Sequence, residues 1–260
     1  MIPHFELPSV VLFGQPIRPF TWFVSAGMVL CYFLALRRVK AEGLYAPLAA
    51  VGLFWVAVGG FIGAHVVEVV AYYPERLLRD PFTLFAVWEG LSSFGGFIGG
   101  TIALYIYTRR RGVWMLAYVD AMMYGFAPGW ILARGGCFVS HDHLGLYSNF
   151  FLAVAYPGGA RHNLGFYEVL WAAVITLVLY ALPRRRRFVG FYTALVLCLY
   201  APARFLLDFL RTDDRRYLGL TPAQYLCGAL VVLAVVLILK GRARGAPVDL
   251  ESEPTPKETT

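Results

Sequence analysis

The sequence predicts an all-α integral membrane protein of about seven transmembrane helices with a small outer-side loop or head region. Three observations predict it. The 260 residues are 59% hydrophobic and only 15% charged, whereas soluble domains run nearer roughly 45–50% apolar and 25% charged. Mean hydropathy is +0.62, and the apolar residues fall into runs near the roughly 20 residues that a bilayer crossing needs. Short basic clusters punctuate alternate runs, the pattern that orients helices across a membrane.

The segments follow in order. Phe20–Leu36 ends at Arg37-Arg38-Val39-Lys40, and Tyr45–Tyr73 carries His65 and Glu68 within it. Pro81–Tyr107 contains Trp88-Glu89-Gly90 and the run Phe94-Gly95-Gly96-Phe97-Ile98-Gly99-Gly100, closed by Arg109-Arg110-Arg111. Such a glycine-rich stretch suits a broken or closely packed helix whose backbone lines a cavity. Val113–Leu132 holds Asp120, and Phe166–Leu182 is followed by Arg184 to Arg187. Phe188–Leu210 carries Arg204 and Asp208, and Pro222–Leu239 ends at Lys240, Arg242 and Arg244. One transmembrane domain is expected over residues 1–240, with an outer-side loop at about 135–165 in which LAVAYPGGARH reads as a short hairpin. The polar, Pro-rich tail 241–260 reads as disordered and cytoplasmic.

The net charge of +7 lies in clusters beside apolar runs, which reads as membrane orientation and not as nucleic-acid binding. Cys31, Cys137, Cys198 and Cys227 are scattered without a CxxC, so neither a disulfide framework nor a zinc finger is expected. Met1–Pro19 lacks the charged-then-apolar pattern of a cleavable signal peptide.

Ionisable residues within or beside spans are costly to place there and are functional candidates. They are His65, Glu68, Glu89, Asp120, Arg134, His141-Asp142-His143, His162, Glu168, Arg204, Asp208 and Arg211. Each carboxylate has the alternative of a purely structural ion pair. Arg134 and Arg204 stand out, because a guanidinium at interface depth matches a lipid phosphate bidentately. Arg204 and Asp208, one turn apart, have the option of pairing with each other. In a strand, His141 and His143 would project to one side and could share an acid–base task or a metal. Their spacing matches no metal motif, so a general base is preferred and no metal is expected.

At this point the residues carry a family resemblance. Ala133-Arg134-Gly135-Gly136-Cys137-Phe138-Val139-Ser140-His141-Asp142-His143-Leu144-Gly145 resembles the GRxGNFxNGExxG signature of prolipoprotein diacylglyceryl transferases. In the family's order stand the glycine run with Gly95 and Gly96, Asp120, and His162 with Tyr167-Glu168, which resembles HPSQLYE. Tyr200…Arg204-Phe205…Asp208…Arg211 resembles YxxxRFxxExxR, and Gly219…Gln224 resembles a closing GxxxxxQ. The likeness runs from about residue 16 to 240. It implies a bacterial inner-membrane enzyme without a cofactor. Such an enzyme moves the diacylglyceryl group of phosphatidylglycerol onto the lipobox cysteine of a prelipoprotein signal peptide and releases glycerol phosphate. Arg134 and Arg204 would hold the lipid phosphate, with Glu168 and Asp208 orienting them. The glycines would let lipid approach backbone, and Arg211, Tyr200, His162, Asp142 and Gly145 would complete the substrate site.

The chain departs from the pattern at four places. Phe94 stands where the family has a histidine, Phe20 where it has a tyrosine, Cys137 where it has an asparagine and Asp142 where it has a glutamate. Because a thiol with a pKa near 8.5 has to lose its proton, His141 or His143 is expected to act as the base in place of the missing histidine. A paralogue with a phospholipid donor and another acceptor, or a lipid-binding protein without chemistry, remains open here.

Topology gives the first test. Thirteen Lys/Arg cluster after the first, third, fifth and seventh segments, against nine dispersed on the other side. An outside N-terminus and a cytoplasmic C-terminus are therefore expected. In intact cells, a single cysteine introduced at position 148 should label and one at 250 should not; the opposite pattern reverses the topology.

Overall fold

The computed structural model describes residues 1–12, 15–86, 90–182, 187–212 and 214–243. Glu89, Arg184 to Arg186 and the tail from residue 244 lie outside the described residues. Seven helices of 17 residues or more are present among those described: α1 (Pro19–Ala41), α2 (Ala46–Val67), α4 (Ser93–Arg111), α5 (Met115–Ser140), α6 (Leu164–Ala181), α7 (Phe191–Leu207) and α8 (Pro222–Ala243). A short α3 (Pro74–Arg79) lies between α2 and α4. Five stretches are long and apolar enough to cross a membrane: Pro19–Ala41, Ala46–Tyr72, Leu164–Ala181, Phe191–Leu210 and Pro222–Gly241. Helix α4 holds the glycine run and three arginines, while α5 carries Asp120 and Arg134 inside it.

Close helix packing follows from small residues. Helices α1 and α5 run antiparallel, with Gly27 against Gly129 and Ala35 against Gly125. Helix α2 crosses α4 at Gly59, Gly63, Gly95 and Gly99; a Cβ on Gly63 would come within 2.5 Å of the Gly95 carbonyl oxygen. Backbones approach this closely only where side chains are missing. Ser92 fixes the start of α4: its N–H donates to the Ala64 carbonyl on α2 at 3.0 Å, and its hydroxyl accepts from Gly95 N–H. Asp120 does a similar task across the bundle. Helix α7 starts at Gly190, which has no side-chain cap, and the Asp120 carboxylate on α5 accepts from the Thr193 N–H at 2.7 Å and hydroxyl at 3.0 Å. This carboxylate ties two helices together, the structural alternative raised for it above.

A small four-stranded sheet sits beside the C-terminal end of α5. Its strands are β1 (Ile2–Pro3), β4 (Leu144–Tyr147), β5 (Val154–Tyr156) and β6 (Gly159–Asn163), in the order β1-β5-β6-β4. Strands β5 and β6 form the expected hairpin, and β1 pairs with β5 in parallel, Ile2 opposite Val154. A separate ribbon pairs β2 (Val10–Leu12) with β3 (Gln15–Ile17).

Three boundaries differ from expectation. Helix α5 continues through Gly135, Gly136 and Cys137 to Ser140, so the loop begins at residue 141 and not at 135. The two glycines stay helical because Gly136 packs against Phe20 and Gly135 against Phe23 of α1, which leaves no room for larger side chains. The third segment is not one helix from Pro81. A 3-10 turn, Pro81–Phe85, is capped by the Asp80 side chain, Gly90 takes a left-handed φ of 81°, and α4 starts only at Ser93. The sixth segment tightens to a 3-10 turn over Asp208–Leu210, which swings Asp208 beneath the end of α7.

Candidate functional site

Helical spacing assembles the site. On α5, Trp130, Arg134 and Cys137 fall on one face at i, i+4 and i+7. The Arg134 guanidinium carbon lies 4.4 Å from the centroid of the Trp130 ring, a cation–π distance. Its Nε stands 2.8 Å from the Glu168 carboxylate, and its terminal nitrogens reach Cys137 Sγ at 3.7 Å and Ser93 Oγ at 3.5 Å. Glu168 occurs in the second turn of α6, whose start is fixed by the Asn163 side chain accepting from Phe166 N–H at 3.0 Å. On α7, Tyr200, Arg204 and Asp208 form a second stripe. Arg204 Nε lies 3.7 Å from Glu168, and its terminal nitrogen pairs with Asp208.

The result is a chain of alternating charge. Arg134, Glu168, Arg204, Asp208, Arg211 and Asp214 follow one another: Arg211 lies 3.9 Å from Asp208 and pairs with Asp214. Arg134, Glu168, Arg204 and Asp208 are each at most 5% exposed. In such surroundings an unpaired charge is costly, so each sign requires the next. The pairing is nonetheless incomplete. The Nε atoms of both arginines, Glu168 Oε2 and the Tyr200 hydroxyl have no aligned hydrogen-bond partner among the described residues. Tyr200 is wedged against Phe97 and Trp130.

The other expected residues distribute unevenly. The triplet His141-Asp142-His143 is not a strand. His141 ends α5 with φ 54°, and strand β4 begins only at Leu144, so alternation does not place the two rings on one side. His141 donates from Nε2 to the Phe5 carbonyl at 2.7 Å, which leaves Nδ1 to accept from the Tyr156 hydroxyl at 2.9 Å. His143 Nδ1 accepts from Arg211 at 2.7 Å. Burial first, and then the guanidiniums of Arg211, Arg134 and Arg204, hold His143 well below the usual imidazole value. Each ring thus has its Nδ1 engaged by a protein neighbour, His141 by Tyr156 and His143 by Arg211. Asp142 has Arg18 and His141 as its charged neighbours, and burial raises its carboxyl. His162 hydrogen-bonds through Nδ1 with the Tyr167 hydroxyl at 2.7 Å.

Gly95 faces Gly63 of α2, and Gly145 fits closely against His162 and the Leu210 carbonyl. Both glycines lie in close backbone packing; Gly96 keeps ordinary contacts only. Phe94 is buried with Ala201, Ala223 and Cys227 and turns its ring to Arg204 at 5.7 Å. His65 lies buried with Nε2 at the Thr83 carbonyl, and Glu68 occupies a π turn beside Gly90. Sequence reasoning missed Ser93, Trp130, Asp214 and Thr221. Of these, only Thr221 had a legible signal, the Thr-x-x-Gln pattern of a helix start.

Replacing Glu168 by Gln should leave two buried guanidiniums around a neutral amide. The expected loss is about 3–5 kcal/mol, as for other buried pairs broken on one side, seen as a lower thermal midpoint in detergent. An unchanged midpoint would show that the arginines find compensation elsewhere.

Residues 8–240 match the prolipoprotein diacylglyceryl transferase family. A phosphatidylglycerol–prolipoprotein diacylglyceryl transferase of Chromohalobacter salexigens is 32% identical, covering 95% of this chain and 96% of that protein. One from Methylococcus capsulatus is 31% identical over 91% and 96%, and one from Ruegeria pomeroyi 28% over 92% and 95%. With nearly its whole length inside that match, the chain belongs to the prolipoprotein diacylglyceryl transferase family.

Proposed function

We propose that the chain transfers the diacylglyceryl group of phosphatidylglycerol to the lipobox cysteine of a prelipoprotein, releasing glycerol phosphate. The observation that carries the reading is the pair of buried guanidiniums, Arg134 and Arg204, held on one carboxylate, Glu168. The terminal nitrogens of Arg134 have only long contacts, and one of them faces Ser93 at the start of α4. A guanidinium beside a helix N-terminus suits a phosphate.

In this reading the lipobox sulfur bonds to the glyceryl carbon as the carbon–oxygen bond to phosphate breaks. As that bond breaks the phosphate gains a second negative charge, which Arg134 and Arg204 stabilise until the thiol proton reaches one of its oxygens. Asp208 and Glu168 aim the guanidiniums, His143 and Arg211 close one side, and Tyr200 offers its unpartnered hydroxyl. Gly96 and the start of α4 border the phosphate; Asp142, His141, His162 and Gly145 shape the sheet above it. No metal or organic cofactor enters the scheme, and the partners are membrane lipid and signal peptides, not nucleic acid. We place all seven long helices across a bacterial inner membrane as one domain, residues 1–240. The sheet and N-terminus lie outside, with the tail in the cytoplasm.

Rescue of a strain depleted of its own transferase tests the function, with the thioether-linked lipid read by mass spectrometry. The parent chain should restore it. Arg134→Lys and Arg204→Lys should fall by roughly a hundredfold or more, because a point charge replaces a fork that contacts the leaving group. Lipid consumption without lipoprotein modification would point to another acceptor.

The proton route has its own test. His143→Gln, whose amide oxygen can still accept from Arg211, should stay within about tenfold of the parent, with the same profile from about pH 6 to 9. A loss near a hundredfold that shrinks as pH rises would return the histidine to the role of base.

A further inference from the structure

Asp208 is fully buried, and its two oxygens have separate duties. One pairs with Arg204; the other accepts the hydroxyl hydrogen of Thr221, at the start of α8. Thr221 is also fully buried. Its oxygen accepts from Gln224 N–H at 3.2 Å, while the Gln224 side chain accepts from Thr221 N–H at 2.9 Å. That reciprocal pair is a capping box. The Gln224 amide then donates to the carbonyl of Phe205 at 3.1 Å, the residue after Arg204. A closed ring therefore runs from Arg204 through Asp208, Thr221 and Gln224 back to α7.

We propose that Thr221 is a positioning residue for the transfer reaction: its hydroxyl locks the Asp208 carboxylate, and through it the guanidinium of Arg204, in the orientation that receives the phosphate. An ordinary N-cap needs only an acceptor, a task open to Ser, Thr, Asp, Asn or even Gly. This position needs an oxygen that accepts from an amide and simultaneously donates to a carboxylate. A hydroxyl does both, and an aspartate here would instead face Asp208 with a like charge. Glu168 does not hold Arg204 unaided, because its nearest approach is 3.7 Å and its other oxygen is occupied by Arg134. With Oδ2 of Asp208 released, the carboxylate could rotate and the guanidinium would follow. Misplacement of a catalytic group by about 1 Å is enough to cost on the order of a hundredfold in rate.

The proposal rests on Arg204 binding the phosphate, and the experiment separates the two. Full-length Thr221→Ser, Thr221→Gly, Asp208→Asn, Thr221→Gly/Asp208→Asn and Arg204→Ala proteins are assayed in phosphatidylglycerol vesicles with a lipobox peptide, alongside thermal midpoints in detergent. Thr221→Gly, which keeps a tolerated cap, should lose about ten- to a hundredfold in kcat. Its KM for the peptide should stay close to the parent, and the rate loss should persist at temperatures well below its own midpoint, where the variant is fully folded. Thr221→Ser should restore the rate to within about threefold, and the double variant should be no more than about twofold slower than Asp208→Asn alone, since both act through one contact. A parent-like rate for Thr221→Gly, additive losses in the double variant, or a rate loss that only tracks a fallen midpoint would overturn it. Full activity of Arg204→Ala would instead overturn the assignment of the phosphate site itself.

Discussion

The Glu168 carboxylate between two buried guanidiniums is the constraint on which the rest of the structure depends. Arg134 comes from α5 and Arg204 from α7, and α6 brings the anion that lets both remain charged away from water. With Glu168 removed, like charges would face each other in a medium that screens them poorly. The alternation then propagates outward through Asp208, Arg211 and Asp214. Three helices are thereby held by charge where their apolar faces alone would let them slide.

Such an arrangement needs precise backbones, and small residues and borrowed caps provide them. Gly95 and Gly99 bring α4 close to α2, so that Ser93 at its tip comes within reach of Arg134. Asp120 caps the start of α7 from the neighbouring helix, Asn163 starts α6 and Thr221 starts α8. In lipid, where water cannot satisfy free N–H groups, these polar side chains decide where helices begin. Those starting points in turn decide where the charged stripes meet.

Much of this was legible in the sequence, for physical reasons. Apolar runs between basic clusters exposed the helices, and Arg204 and Asp208 one turn apart announced a pair that the structure contains. Arg134, Glu168, Arg204 and Asp208 stood out because charged residues in apolar runs are rare, and the structure brings all four together. What was not legible depends on contacts between distant residues. Gly135 and Gly136 looked like a helix end, but Phe20 and Phe23 keep them helical. Gly95 stood out in its glycine run, but its close partner on α2, Gly63, is set by the fold. For His141 and His143, only the fold reveals that the Phe5 carbonyl and Arg211 lie against their rings. No local pattern could have told of partners 68 and 136 residues away.

The parallel pairing of β1 with β5 has a consequence for biogenesis. Ile2 leaves the ribosome early, but its partner Val154 emerges only after α1, α2, α4 and α5 have been made. The first strand synthesised therefore has to wait for residue 154 before it can pair, and until then its edge stays open. His141 can take the Phe5 carbonyl only at that moment. Closure of the sheet thus joins the start of the chain to a segment made only after four long helices.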